Sequence, residues 1–144
     1  MNNIIKFNEL NEDNIIHFFS CKPFDYLNDD IKKCFNIPEN IKIVGCNQTH
    51  SNKVVNLTKD NINEVFDNTD GLVTALENVA IITKVADCQS ILLYDSKKGV
   101  IGNIHAGWKG TVNKIILNAI DIFMNEYNSN PIDILAFINP SLLK

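Results

Sequence analysis

Apolar residues along the chain occur in short blocks divided by polar connectors rich in Asn, Asp and Ser. Early in the chain the blocks are brief. "IIKF" and "IIHFF" predict strand-like pieces, and "LNDDIKKCFNI" has helical spacing with acids at its start and Pro38 closing it. The β-branched runs "IKIVGC" (41–46) and "KVVNL" (53–57) predict two strands, with His50 held at their junction in the polar connector "NQTHSN". From residue 70 the pattern strengthens. "DGLVTAL" opens on a turn dipeptide, "VAIITKV" (79–85) and "SILLYD" (90–95) predict buried strands, "SKKG" a turn, and "VIGNIH" the next strand. Beyond "AGWKG", the positions Val112, Ile115, Ile116, Ala119, Ile120, Phe123 and Tyr127 keep the 3.6-residue period of one amphipathic helix, with Thr111 placed to cap it. "NSNP" stops that helix and "IDILAFI" returns as a strand. The pattern predicts an α/β (α+β) fold, a mixed sheet flanked by helices that ends in a strand–helix–strand unit. With no repeat, low-complexity tract or linker, residues 1–144 read as one domain.

Composition narrows the partners. Apolar residues make up 45% and charged residues 21%, ordinary for a globular chain, and a net charge of -4 argues against nucleic-acid and anionic-membrane surfaces. All 13 basic residues are lysine, so any bound anion must be held by ammonium groups, backbone N–H groups or a metal, not by a guanidinium fork. The 22 Asn and 21 Ile fit an AT-rich coding sequence and carry no functional meaning. The start "MNNIIKFNELNEDNII" resembles neither a signal nor a transit peptide, and no apolar stretch reaches the length of a membrane span. Cys21, Cys34, Cys46 and Cys88, without a close C-x-x-C pair, read as reduced thiols of a cytoplasmic protein.

His50 in "QTHSN", Cys88 in "ADCQS" and His105 in "IHAGW" each stand where a strand pattern breaks into a turn. Their separation excludes a local metal motif, but two imidazoles and a thiolate are preferred donors for Zn²⁺ and leave a fourth position for water. Each residue taken alone also has a plainer reading. His50 fits a hydrogen-bonded structural histidine, Cys88 a buried inert thiol, Trp108 a core or rim anchor and Asp87 a turn residue. Gly107 and Gly110 would then serve only the tight entry into the helix, and His17 reads as structural or at most a rim residue. Taken jointly, the donors at strand ends favour a site, because loops at strand ends are where sites are built. The predicted helix N-terminus adds free N–H groups suited to phosphate or a ribose oxygen.

In order along the chain, "QTHSNKV", "DGLVT", "VADCQSILLYD", "IHAGWKGT" and "FINPS" resemble the YfiH-type family, also known as laccase-domain or multicopper polyphenol oxidase-type proteins and as purine nucleoside phosphorylases. The resemblance runs from about Ile41 to Ser141. It implies a metal site at His50, Cys88 and His105, holding zinc in preference to copper, since three donors cannot build several copper sites. It also implies phosphorolysis of adenosine, inosine, guanosine and 5′-methylthioadenosine, with deamination of adenosine. Under it, Cys88, His105 and Asp87 are the catalytic residues, Asp87 orienting the site or transferring a proton. Lys109 contacts phosphate, and Gln48 and Ser51 bind sugar or base. The alternatives are a peptidoglycan-editing amidase of the same family and a non-catalytic zinc-binding remnant. Lys109 stands where the family has arginine, Asn139 where it has glycine, and "FFSCKPF", with Cys21, where an arginine-glycine loop would begin. Against the family pattern the chain is expected to be shortened at both ends. Ending on a strand with a free edge, it is expected to favour self-association into a homo-oligomer.

Overall fold

The structure, a computed structural model, describes residues 4–10, 14–22, 25 and 29–141. The chain contains two compact units, residues 1–41 and 42–144. The start of "LNDDIKKCFNI", part of "FFSCKPF" and the tail after Ser141 lie outside the described residues.

In the first unit β1 (Ile4–Ile5) pairs antiparallel with β2 (Phe19–Ser20), and a 3₁₀ turn spans Asn8–Leu10. The Phe7 N–H donates to His17 Nε2 at 3.0 Å, so His17 is a structural acceptor as its apolar setting suggested. Burial lowers its pKa, and the nearby charge of Lys6 acts in the same direction. Helix α1 (Ile31–Phe35) starts where the Asp30 carboxylate accepts the N–H groups of Lys32 and Lys33. It ends at Asn36 in the left-handed conformation, two residues before Pro38.

The second unit is built on a five-stranded sheet of order β4-β5-β8-β7-β9. Its strands are β4 (Val54–Asn56), β5 (Gly71–Thr74), β7 (Gln89–Asp95), β8 (Val100–Ala106) and β9 (Leu135–Ile138). Only β4 and β5 are parallel neighbours; β5, β8, β7 and β9 alternate in direction. A separate parallel pair joins β3 (Lys42–Val44) to β6 (Val79–Ile81). Side-chain alternation divides the interior in two, with adjacent residues Leu72 and Val73 of β5 in different cores. On one side, Ile115, Ala119 and Phe123 pack on Val73, Ile91, Leu93, Val100 and Ile104. On the other, Leu72 joins Val44, Cys46, Leu57 and Phe66.

The runs 41–46 and 53–57 form β3 and β4 with His50 in the connector between them, as expected, and the two strands belong to different sheets. Two other expectations change. The run 79–85 is strand only to Ile81, after which the chain leaves the ladder and lines a cavity. The predicted single helix is two, α2 (Trp108–Val112) and α3 (Ile115–Tyr127), separated by Lys114 at φ 62°. That left-handed residue resets the helical phase. Thr111 lies inside α2, with Gly107 at the cap, and Val112 is 71% exposed, while Ile115, Ala119 and Phe123 face the sheet. The return strand is preceded by a 3₁₀ turn (Pro131–Asp133) capped by the Asn130 side chain. All four cysteines are free thiols, and among the described residues no helix is long and apolar enough to cross a membrane.

Candidate metal centre

Three neighbouring strands bring their ends together at one edge of the sheet. Asp70 directly precedes β5, Cys88 directly precedes β7, and His105 lies next to the end of β8. Antiparallel register sets His105 opposite Ser90, and the His105 N–H donates to the Asp70 carbonyl at 2.6 Å. His50 arrives on the loop that follows β3.

Asp70, fully buried, organises the group. Its carboxylate accepts the N–H groups of three successive residues: Thr49 at 3.1 Å, His50 at 3.0 Å and Ser51 at 2.8 Å. It also lies 2.6 Å from Ser51 Oγ and 2.7 Å from His105 Nδ1. Burial alone would raise its pKa, but hydrogen bonds from the Ser51 hydroxyl, His105 and the Thr49 and Ser51 N–H groups outweigh that and hold the carboxyl below its ordinary range. Three converging N–H donors explain why the loop turns through His50 at φ 59°, a left-handed conformation uncommon for a side chain of this size. The same carboxylate keeps the proton of His105 on Nδ1, leaving Nε2 with a lone pair for a cation.

The donor atoms of His50, Cys88 and His105 all lie within 4.8 Å of one another, with Cys88 Sγ 3.7 Å from His50 Nε2. The His50 and His105 rings meet edge to face, 4.9 Å between centroids. Burial, the charge and hydrogen bond of Asp87, and the charge of Asp70 push the Cys88 thiol above its ordinary pKa. Gly107 is required here: a Cβ on it would lie 2.5 Å from His50 Cδ2. Two imidazole nitrogens and a sulfur at these separations fit a metal ion.

The triad opens into a cavity of about 350 Å³ lined also by Gln48, Lys84, Val85, Ala86 and Asp87. Gln48 lines it while its amide pairs with the Lys84 backbone, accepting from the N–H and donating to the C=O, both at 2.8 Å. Ser51 turns inward, its hydroxyl within reach of Asp70 and the Asn68 carbonyl. Asp87 is on the wall beside Cys88. Lys109 is not among the lining residues; it lies on α2 with its ammonium 5.6 Å from the Trp108 ring centre, and Trp108 is 70% exposed.

Two groups escaped the sequence reading. Asp70 showed only as half of a turn dipeptide, and no pattern distinguishes a turn aspartate from a buried one. The other is a polar cluster of Thr83, Ser90 and Asn103 beneath the Cys88 segment. Asn103 Oδ1 is 2.8 Å from Thr83 Oγ1 and 3.0 Å from Ser90 Oγ, and its amide donates to the Ile81 carbonyl.

The family model described as multi-copper polyphenol oxidoreductase laccase matches residues 28–144. A purine nucleoside phosphorylase of Clostridium acetobutylicum is 37% identical over 102 residues, covering 70% of this chain and 42% of the relative. One from Borreliella burgdorferi is 36% identical over 113 residues, covering 77% of this chain and 48% of the relative. The chain therefore spans less than half the length of these relatives. Among solved structures, the hypothetical protein YfiH of Bacillus licheniformis superposes with a TM-score of 0.67 at 29% identity, covering 78% of this chain and 44% of that one. YlmD of Geobacillus stearothermophilus gives 0.69 at 25% identity with the same coverage. By its matched length, its fold and the relatives it resembles, the chain belongs to the multi-copper polyphenol oxidoreductase laccase family, the YfiH type.

Proposed function

We propose that the chain holds one zinc ion through His50, Cys88 and His105 and acts on purine nucleosides, phosphorolysing adenosine, inosine, guanosine and 5′-methylthioadenosine and deaminating adenosine. The observation that carries this reading is the His–Cys–His donor set on a cavity wall, with one histidine oriented by a buried carboxylate, in a chain similar to proteins named purine nucleoside phosphorylase. Zinc held there would supply a Lewis acid able to polarise an oxygen of phosphate or water.

The chain's own residues do the rest. Asp70 fixes the His105 tautomer and the His50 backbone, so the donor set is formed before ligand enters. In phosphorolysis a phosphate oxygen bonds to C1′ of the ribose, and the bond from C1′ to the base nitrogen breaks with its electron pair leaving on the base. The proton lost by phosphate ends on the base, and we assign its transfer to Asp87, which lines the cavity wall. In deamination water adds at C6 and ammonia leaves. Gln48 shapes the wall beside the sugar or base, and Ser51 acts through Asp70.

Chromatography of adenosine incubated with the protein, with and without phosphate, tests the reading. Adenine formed only with phosphate, inosine formed without it, and loss of both in Cys88→Ala are the expected results. A zinc-loaded protein that releases neither product refutes the proposed activities.

A further inference from the structure

We infer that Lys84 forms an anion subsite within the same cavity and holds inorganic phosphate beside the His50–Cys88–His105 group; this rests on the phosphorolysis proposed above. Among the residues that line the cavity, Lys84 is the one lysine, and Asp87 is the one carboxylate. In a chain with no arginine, the one cationic side chain that the cavity lining offers an anion is Lys84. Lys109, the lysine expected from the sequence to meet phosphate, lies on a five-residue helix and does not line the cavity.

The backbone of Lys84 is also fixed in position. Its N–H and C=O both pair with the Gln48 amide, an arrangement that substitutes for the ladder partner lost when the chain leaves β6. Gln48 is two residues from His50, and Lys84 is four residues from Cys88, so both walls of the cavity are tied together at the lysine's backbone. Val85 and Ala86, which follow, carry no charge and separate Lys84 in sequence from Asp87, the negative group of the lining. A phosphate seated between the Lys84 ammonium and the donor group would have an oxygen facing the cavity in which the ribose must sit. Lysine acts on it as a point charge, so the subsite selects for an anion and not for the planar geometry of a carboxylate.

The test uses the full chain with zinc supplied. Phosphate binding is followed by isothermal titration, and the KM values for phosphate and for adenosine are measured separately in wild type, Lys84→Gln, Lys84→Arg and Lys109→Gln. Lys84→Gln is expected to weaken phosphate binding and raise the phosphate KM about tenfold, with unchanged zinc content, melting temperature and adenosine KM. Lys84→Arg is expected to restore most of the loss. Wild-type phosphate affinity in Lys84→Gln overturns the inference, as does a loss confined to Lys109→Gln. A loss of adenosine 5′-monophosphate binding without a loss of phosphate binding also overturns it, because the lysine would then hold a substrate's phosphate. If wild type makes no adenine while Lys84→Gln still loses phosphate binding by titration, the subsite stands and phosphorolysis falls.

Discussion

Gly107→Ala is the sharpest perturbation of the metal centre, since it adds one methyl group at a point where nothing can yield freely. The Cβ would lie 2.5 Å from His50 Cδ2 and 3.4 Å from both His50 Cγ and His105 Cε1. Carbon atoms in contact prefer about 3.5–4.0 Å, so the His50 ring has to retreat by about 1 Å. The backbone cannot take up that shift, because the His50 N–H is tied to Asp70 at 3.0 Å and the residue already occupies the left-handed region. Side-chain rotation remains, and it swings Nε2 away from Cys88 and His105. Metal–ligand distances tolerate only about 0.2 Å, so one donor of three is effectively lost. Disturbing the support of a ligand typically costs about 10–100-fold in metal affinity, and a displaced ligand belongs at the upper end.

Stability without metal should change little, since Gly107 has φ -69°, a conformation alanine also adopts. Competition against a chromophoric chelator measures the affinity, and thermal unfolding of the metal-free proteins measures the fold. Gly102→Ala is the control. Its Cβ would meet Phe123 Cε2 at 3.2 Å and Leu93 Cβ at 3.3 Å in the core beneath α3, costing about 1–3 kcal/mol of stability while sparing zinc affinity. Wild-type zinc affinity in Gly107→Ala would refute the assignment of His50 as a ligand.

Other consequences follow from the same contacts. Asp70→Ala leaves three backbone N–H groups and the His105 Nδ1–H without their acceptor, a loss of about 3–5 kcal/mol in urea unfolding; a loss under about 1 kcal/mol would show that water replaces the carboxylate. Cys46, buried, has its thiol pushed from 9.0 to about 11, first by burial and then by the charge of Asp70, against the opposing charge of Lys84. The folded thiol stays neutral where the unfolded one ionises, so its contribution is complete below pH 9 and is lost as pH rises toward 11, by at most about 3 kcal/mol. Cys46→Val should therefore flatten the decline in stability between those values, and an unchanged slope would rule out Cys46 as its source. Asn103→Ala strips the acceptor from Thr83 and Ser90 and the donor from the Ile81 carbonyl. It should cost about 1–3 kcal/mol and increase amide hydrogen exchange in residues 82–88; exchange unchanged there would mean the cluster does not hold the cavity wall.

Elements whose periodicity comes from burial on one or both faces were legible. The runs that became β5, β7 and β8 are continuous and apolar because both sides of the sheet are covered, by α3 on one and by the Val44–Leu72 core on the other. The helix was legible as apolar spacing but not in its interruption. Val112 and Ile115 satisfy the same period whether or not Lys114 turns left-handed, so hydrophobic pattern alone cannot reveal the break. Strand partnership was illegible for a different reason. Two β-branched runs joined by a polar connector do not say which strands each will pair with, and the connector here folds onto a carboxylate twenty residues from His50 along the chain.

The site divides along the same line. His50, Cys88 and His105 could be picked out because each is a donor residue near the end of a predicted strand, and the fold brings their donor atoms within 4.8 Å of one another. Asp70 could not, since a carboxylate before Gly71 has the same appearance whether it caps an exposed turn or is buried under five hydrogen-bond donors. A buried charge persists only when its partners are supplied, and here they come from three consecutive backbone N–H groups, a hydroxyl and an imidazole. The candidate donor residues are thus carried near strand ends that hydrophobic patterning specifies, while one aspartate that patterning does not mark holds the two histidines. A chain could keep "THS", "DC" and "IHAG" intact and still lose the centre by changing Asp70 alone.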